Sequence, residues 1–242
     1  MGVKRMRVFA GPNGSGKTTI IKSLKAEIPF GVYVNADDIE SLLRESGVLL
    51  FDTYQLTVSE STLQNFFKES LFAPVKRNET DLWSKLNVSE NILHINTNVD
   101  SYLAADLAEF IRQRLLANDL SFTYETVMSH ESKVLFLQTA KEKGYRVYLY
   151  FIATEDPEIN ISRVNVRVAQ KGHLVAPDII KSRYYKSLQH LKDAVKKSNR
   201  AYVWDNSGSV SLLIAEITDG SDVEIFDTDK VPNWFVKYLA ND

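Results

Sequence analysis

Short apolar runs alternate along this chain with stretches whose apolar residues recur three and four apart, which predicts strands interleaved with helices. Residues 6–10 form a compact run of strand length, and Ile20, Ile21, Leu24 and Ile28 then line one side of a helix closed by Pro29. Val32–Val34 reads as a second strand, followed by a helix through Arg44 that Asp38 can cap. Helical spacing of Leu63, Phe66, Phe67, Ser70 and Leu71 predicts an amphipathic helix over 57–72, stopped by Pro74. Leu103, Leu107, Phe110, Ile111, Arg114 and Leu115 predict another over 102–116. Residues 121–124 alternate as a third strand, and 132–143 form a helix with Gly144 as its C-cap. The unbroken apolar run 147–153 is the mark of a central parallel strand buried on both faces. Glu155-Asp156-Pro157 opens the next helix, and 201–204 make a fifth strand. Two further strand-like runs, 211–217 and 223–226, are consistent with a hairpin around Asp219-Gly220.

Five strands alternating with helices predict an α/β fold: a doubly wound, mostly parallel five-stranded sheet with flanking helices. At 242 residues the chain is read as one domain over 1–242. Periodicity fades over 48–100, which is read as an insertion, mostly helical.

Between the first strand and the first helix stands Gly11-Pro12-Asn13-Gly14-Ser15-Gly16-Lys17-Thr18, a full match to the phosphate-binding loop pattern G-x-x-x-x-G-K-[ST]. The order strand, glycine loop, helix is what a phosphate cradle requires. Glycines let backbone N–H groups turn inwards, and the helix N-terminus adds its positive end. The expected nucleotide contacts are Gly11, Asn13, Gly14, Ser15, Gly16, Lys17, Thr18 and Thr19. Lys17 would reach the β/γ-phosphates of ATP or GTP, and the Thr18 hydroxyl would be a ligand to Mg²⁺. The fold is therefore expected to be of the P-loop NTPase/kinase type.

Other polar residues fall where strands end. Asp37 and Asp38 follow the second strand and Glu125 and Thr126 the third, in a sheet whose ligand crevice lies at its strand ends. At least one of the two aspartates is expected to serve the ligand, the alternative being that both only cap the next helix. Glu125 is read as orienting Mg²⁺ or substrate, or as capping the helix after Ser129. Arg163 and Arg167 sit four apart on one helix face inside a basic segment, 157–187, read as a lid that clamps the transferred phosphoryl group. A solvated basic face is the other reading. His173 is a turn residue, and Asn206 lies in the polar loop after the fifth strand, a common place for base contacts.

Composition narrows the classes. A net charge of −2 leaves no electrostatic footprint for nucleic acid or an anionic membrane, and no cysteine is present for disulfide or thiolate chemistry. The first strand follows Met1–Arg5 directly, without an apolar signal segment, and no run is long enough to span a membrane, so a cytoplasmic protein is expected.

In GPNGSGKTT, NADDI, SFTYETVMS, GYRVYLYFI, SRVNVRVAQKGHLV, Arg183-Tyr184, WDNSG and the terminal Val231-Pro232-Asn233-Trp234, the chain resembles the zeta-toxin-like P-loop kinases. The pieces occur in the family's order over roughly residues 1–47 and 101–235. The resemblance implies transfer of a phosphoryl group from ATP, with Mg²⁺, to a sugar hydroxyl of UDP-N-acetylglucosamine, and a possible antitoxin protein as partner. It implies Asp37 as general base, Lys17 as phosphate lysine, and Arg163 and Arg167 in the lid. The family's Gly-Gly-His turn carries Lys171 here in place of the first glycine, and Ala176 holds the place of its proline, with Pro177 following. Residues 48–100 have no counterpart in it. Two other readings fit the loop itself: a kinase for a nucleoside, dinucleotide or polynucleotide end, and a regulatory ATP-hydrolysing module.

Overall fold

The computed structural model describes residues 2–169 and 175–240. In chain order the elements are β1 (Arg5–Ala10), α1 (Lys17–Leu24), β2 (Val32–Val34), α2 (Ala36–Ser46), β3 (Val48–Leu50), α3 (Glu60–Glu69) and α4 (Ala73–Lys76). Then follow β4 (Leu86–Ser89), β5 (Ile92–Ile95), α5 (Ser101–Ala117), β6 (Phe122–Thr126), α6 (Glu131–Glu142), β7 (Arg146–Ala153) and α7 (Pro157–Ala169). The chain ends with α8 (Pro177–Gln189), α9 (Leu191–Lys196), β8 (Arg200–Asp205), β9 (Leu212–Thr218), β10 (Asp222–Ile225) and a short α10 (Asn233–Phe235). Two compact units result, Met1–Phe30 with Tyr124–Asp242, and Gly31–Thr123.

The first unit is built on a sheet of order β10-β9-β8-β7-β1, with the end of β6 beyond β1. Its centre is parallel: Arg5 to Ala10 pair with Arg146 to Phe151, and Tyr148 to Ala153 with Arg200 to Asp205. All five predicted strands exist. The predicted hairpin adds β9 and β10, antiparallel, at the β8 edge. Its turn has Asp219 at φ 48° and Gly220 at φ 78°, with Ser221 N–H donating to the Thr218 carbonyl at 3.2 Å. Positive φ at both central residues matches the twist of a two-stranded ribbon.

One face of this sheet is aromatic. The Phe9 ring stacks on Phe30 at 5.6 Å and on Tyr150 at 4.5 Å, and Tyr150 stacks on Tyr202 at 5.1 Å. Ile20 and Ile21 of α1 join Phe9, Tyr150 and Ile152 in one buried cluster. Offset aromatic pairs contribute about 0.5–1.5 kcal/mol each beyond buried area. The row therefore ties β1, β7 and β8 together directly beneath the helix that carries Lys17. Burial pushes the Tyr150 hydroxyl up to about 12.

In the second unit α2 packs on α5, and β3, β5 and β4 form an antiparallel sheet. Leu49, Phe51, Leu63, Leu82, Leu86 and Leu93 are fully buried there, and Phe110 meets Phe66 edge-on at 5.4 Å. Residues 48–100 thus hold a small sheet as well as helices, because strands of three and four residues are too short to show a period. The helix expected over 57–72 is α3, capped by Ser59. Pro74 does not stop it; it stands in the first turn of α4, where its missing N–H costs nothing. Asp38 does not cap α2 either. Asn35 does, its Oδ1 accepting from Asp37 N–H at 2.9 Å. Asp106, buried on α5, accepts from Ser70 Oγ at 2.5 Å and Ala73 N–H at 2.9 Å, which fixes the α3–α4 corner.

An ion-pair network closes this unit. Glu79 receives Arg77 at 2.8 Å, Lys85 at 2.6 Å and the Thr97 hydroxyl at 3.0 Å, while Arg77 also reaches Asp100 at 2.6 Å. Burial would raise the Glu79 carboxyl, but hydrogen bonds from Lys85, Arg77 and Thr97 outweigh it and hold the group at about 2. A depressed carboxylate stabilises the fold above its unfolded pKa of 4.5, and that stabilisation is lost as pH falls towards 2. Denaturant midpoints at neutral pH and about pH 3 should therefore drop more for the parent than for Glu79→Gln. Equal drops would remove Glu79 from the acid response.

Candidate nucleotide site

The loop leaves β1 at Gly11 and enters α1 at Gly16, and all three of its glycines are conformationally demanded: at Gly14 (φ 76°) a Cβ would lie 2.5 Å from the Asn160 carbonyl oxygen. A Cβ on Gly11 (φ 137°) would lie 2.0 Å from the Ile152 carbonyl oxygen, and one on Gly16 (φ 93°) would lie 2.0 Å from Asn206 Nδ2. Both positions combine positive φ with backbone or amide contact, so no side chain fits. Ser15 is fully buried, Lys17 is half-buried, and Thr18 and Thr19 are exposed on the first turn of α1. Lys17 Nζ donates to the carbonyls of Gly11 at 2.9 Å and Pro12 at 3.0 Å, which folds its stem back across the loop.

Three elements brace the loop from outside. Asn160 of α7, fully buried, donates from Nδ2 to the Asn13 carbonyl at 2.6 Å and accepts from Thr154 Oγ1. Asn206, just past β8, donates from Nδ2 to the Ser15 carbonyl at 2.8 Å, accepts from Ser211 Oγ at 2.5 Å, and donates its own N–H to Ala153 at 2.8 Å. Asp205 accepts from Trp234 Nε1 at 2.9 Å and Ser207 Oγ at 2.8 Å, and so docks the C-terminal turn. Arg163 reaches the same loop, donating to the carbonyls of Asn206 at 2.7 Å, Gly208 at 3.3 Å and Ser207 at 3.5 Å. Between these groups opens a cleft of about 350 Å³, with Gly16 and Thr19 on one side and Arg163, Asn206, Gly208, Ser209 and Ser211 on the other.

The first unit thus brings together the loop, Arg163 and Asn206. Asn206 supports the loop from behind with its amide while also lining the cleft. Arg167 lies one turn further along α7 and is exposed. Glu125 and Thr126 are half-buried within β6 itself, and Thr126 Oγ1 accepts from Met128 N–H at 3.1 Å. Glu125 does not cap the following helix: His130 does, through Nδ1 to Ser132 N–H at 3.2 Å. Asp37 belongs to the second unit, exposed in the first turn of α2. Asp38 follows it about 100° around the helix, not on alternating sides of a strand. Its charge, after burial, helps push the Tyr54 hydroxyl up to about 12. His173 and the Lys171-Gly172 turn lie outside the described residues.

Sequence reasoning missed Asn160, Ser211 and the Asp205–Trp234 pair as parts of this site. An asparagine inside a helix carries no signal of its own. The Trp204-to-Gly208 and Val231-to-Trp234 motifs did hold a signal, since each joins a polar residue to a tryptophan outside any regular period.

The family model "Zeta toxin" matches residues 95–218, just over half of the chain. The chain belongs to the zeta toxin family. The matched residues take in Glu125, Arg163, Arg167 and Asn206; the loop and Asp37 lie before them. A Haemophilus influenzae protein described as uncharacterized is 40% identical over 65 residues, 27% of this chain and 46% of that protein. Among solved structures, AvrRxo1-ORF1:-ORF2 with ATP is similar at a TM-score of 0.54 and 13% identity, covering 94% of this chain and 62% of that one. The native AvrRxo1-ORF1:-ORF2 complex gives 0.55 at 13% identity, with the same coverage. This likeness shows the fold. The chain spans less than two thirds of the length of each of these relatives. Among the described residues, no helix is long and apolar enough to cross a membrane, and no group of three or more His, Asp or Glu could hold a metal ion.

The contact at Gly16 yields a direct test. Gly16→Ala should lose stability, since Gly16 is the left-handed N-cap of α1, and its methyl must displace Asn206 from the Ser15 carbonyl. ATP affinity by calorimetry should fall at least about tenfold, the equivalent of one lost hydrogen bond near 1.4 kcal/mol. Unchanged affinity would show that the Asn206–Ser15 contact does not shape the loop.

Proposed function

We propose that the protein is an ATP/Mg²⁺-dependent kinase that phosphorylates a hydroxyl of a small nucleotide-like acceptor. Membership of the zeta toxin family supports a kinase-type phosphotransferase. The observation that carries the finer reading is the loop itself, where strand, obligatory glycines and lysine-bearing helix make a phosphate cradle. Lys17, now folded onto loop carbonyls, has the reach to turn to the β/γ-phosphates. The family resemblance offers UDP-N-acetylglucosamine as the acceptor and Asp37 as the base. The family's name and the two-component AvrRxo1 complex support an antitoxin-like protein partner.

In the reaction the acceptor oxygen attacks the γ-phosphorus, a new O–P bond forms, and the bond from that phosphorus to the β–γ bridging oxygen breaks to release ADP. The hydroxyl proton passes to the Asp37 carboxylate. A bound Mg²⁺ would neutralise charge on the phosphates; it takes few protein oxygens beside water and substrate phosphates, so the exposed Thr18 hydroxyl suffices as the loop's donor. Arg167, exposed one turn beyond Arg163 on α7, would be the arginine that meets charge on the moving group. Glu125 and Thr126, half-buried at the end of β6, would orient the acceptor.

Phosphorylation of UDP-N-acetylglucosamine followed by mass spectrometry tests this reading. Lys17→Ala should abolish ATP-dependent transfer in a protein that still folds, with a melting temperature lowered modestly by the loss of its bonds to the Gly11 and Pro12 carbonyls. Asp37→Asn should keep ATP binding and lower transfer by roughly 10²–10⁴, whereas Asp38→Asn should leave transfer largely intact. No product with this acceptor, yet product with another hydroxyl compound, would overturn the acceptor alone. ATP turnover unchanged by any acceptor would favour a hydrolysing switch.

A further inference from the structure

Each of the three central parallel strands begins with an arginine: Arg5 on β1, Arg146 on β7 and Arg200 on β8. Arg7 follows Arg5 by two residues and so shares its face of the sheet. The register sets Tyr148 beside Arg7 on one side and beside Arg200 on the other. The Arg7 guanidinium lies 5.2 Å from the centre of the Tyr148 ring, and that of Arg146 lies 5.7 Å from it. We propose that Arg7, Arg146 and Arg200 form an oxyanion site around Tyr148 that takes a phosphate group, at the end of the sheet away from the glycine loop.

Arg7 carries the argument. It is only 5% exposed, its Nε has no hydrogen-bond partner, and among the described residues no carboxylate pairs with it. A buried cation is ordinarily paired, because its lost hydration must be replaced. The Tyr148 ring attracts the guanidinium but offers Nε–H no acceptor in its place. A tyrosinate does not serve either. Burial pushes the Tyr150 hydroxyl up to about 12, although Arg7 draws it down, so the group stays protonated at neutral pH. The acids of this face begin further out. Glu216 of β9 pairs with Arg200 at 3.0 Å, and Glu224 stands opposite Glu216 on β10. One paired carboxylate therefore serves three guanidinium groups, a local positive excess in a chain of net charge −2. A phosphate group suits such a site, since its several oxygens can accept from guanidinium forks on neighbouring strands. Arg7 stands four residues before Gly11, which is about 13 Å along an extended strand. The site is thus separate from the phosphate cradle and does not rest on the nucleotide reading.

The test follows the Arg7 Nε–Hε resonance of the full chain by ¹⁵N NMR during a titration with inorganic phosphate at constant ionic strength. That signal should shift and saturate with phosphate, and should not move with chloride. Arg146→Gln and Arg200→Gln change residues at the exposed edge of the patch and should fold. Each should raise the phosphate concentration at half-saturation by roughly tenfold or more, the equivalent of one charged hydrogen bond. Lys17→Ala, which disables the glycine loop, should leave the half-saturation where it is. Glycerol 3-phosphate run beside inorganic phosphate names the source. Tighter binding of the ester assigns the site to a phosphorylated organic ligand, tighter binding of inorganic phosphate assigns it to the free ion, and both support the site. A silent Arg7 signal with both ligands, or an equal shift with chloride, would overturn the inference. So would a half-saturation unchanged in both glutamine variants, or a response that disappears in Lys17→Ala and so belongs to the loop.

Discussion

The site depends on one hydrogen bond, from the Asn206 amide to the carbonyl of Ser15. A phosphate loop works by pointing its N–H groups inwards, which requires its carbonyls to point elsewhere and be satisfied there. Outward carbonyls buried without a partner would each cost about 1–3 kcal/mol. Asn206 takes that of Ser15, Asn160 that of Asn13, and Lys17 those of Gly11 and Pro12. The two asparagine contacts hold the outward face whether or not the inner face is filled.

Such bracing needs a rigid base, and the sheet supplies it. Asn206 sits immediately after β8, and its N–H is tied to Ala153 at the end of β7. The aromatic row from Phe30 through Phe9 and Tyr150 to Tyr202 locks β1, β7 and β8 to one another. Trp234 holds the loop from the opposite side through Asp205. The C-terminal turn, distant in sequence from the glycine loop, is therefore part of the same mechanical assembly.

How much of this was legible in the sequence follows from what carries each signal. The glycine loop between β1 and α1 was legible because its pattern lies in consecutive residues. The strands of the main sheet were legible because their burial on both faces writes unbroken apolar runs such as 147–153. The sheet within 31–123 was not, because β3, β4 and β5 have three or four residues each, below one readable period. The cap expected at Asp38, and the capping alternative for Glu125, failed for a related reason. Several polar residues stood near each start, and only backbone geometry selects the one, Asn35 or His130, whose side chain reaches the free N–H groups.

The arginines show the same limit more sharply. Arg163 and Arg167 are four apart, and a periodicity argument assigns them to one face with one task. Helix geometry makes them neighbours but does not make them equivalent. Asn160 and Arg163 are three apart on α7, and together they register this helix against two loops, one through the Asn13 carbonyl and the other through the carbonyls after β8. A residue inside that register is held; Arg167, a turn beyond it, is exposed. Which of the two arginines is held and which is exposed is thus set by where the helix is pinned, a property of its hydrogen-bond partners and not of its spacing.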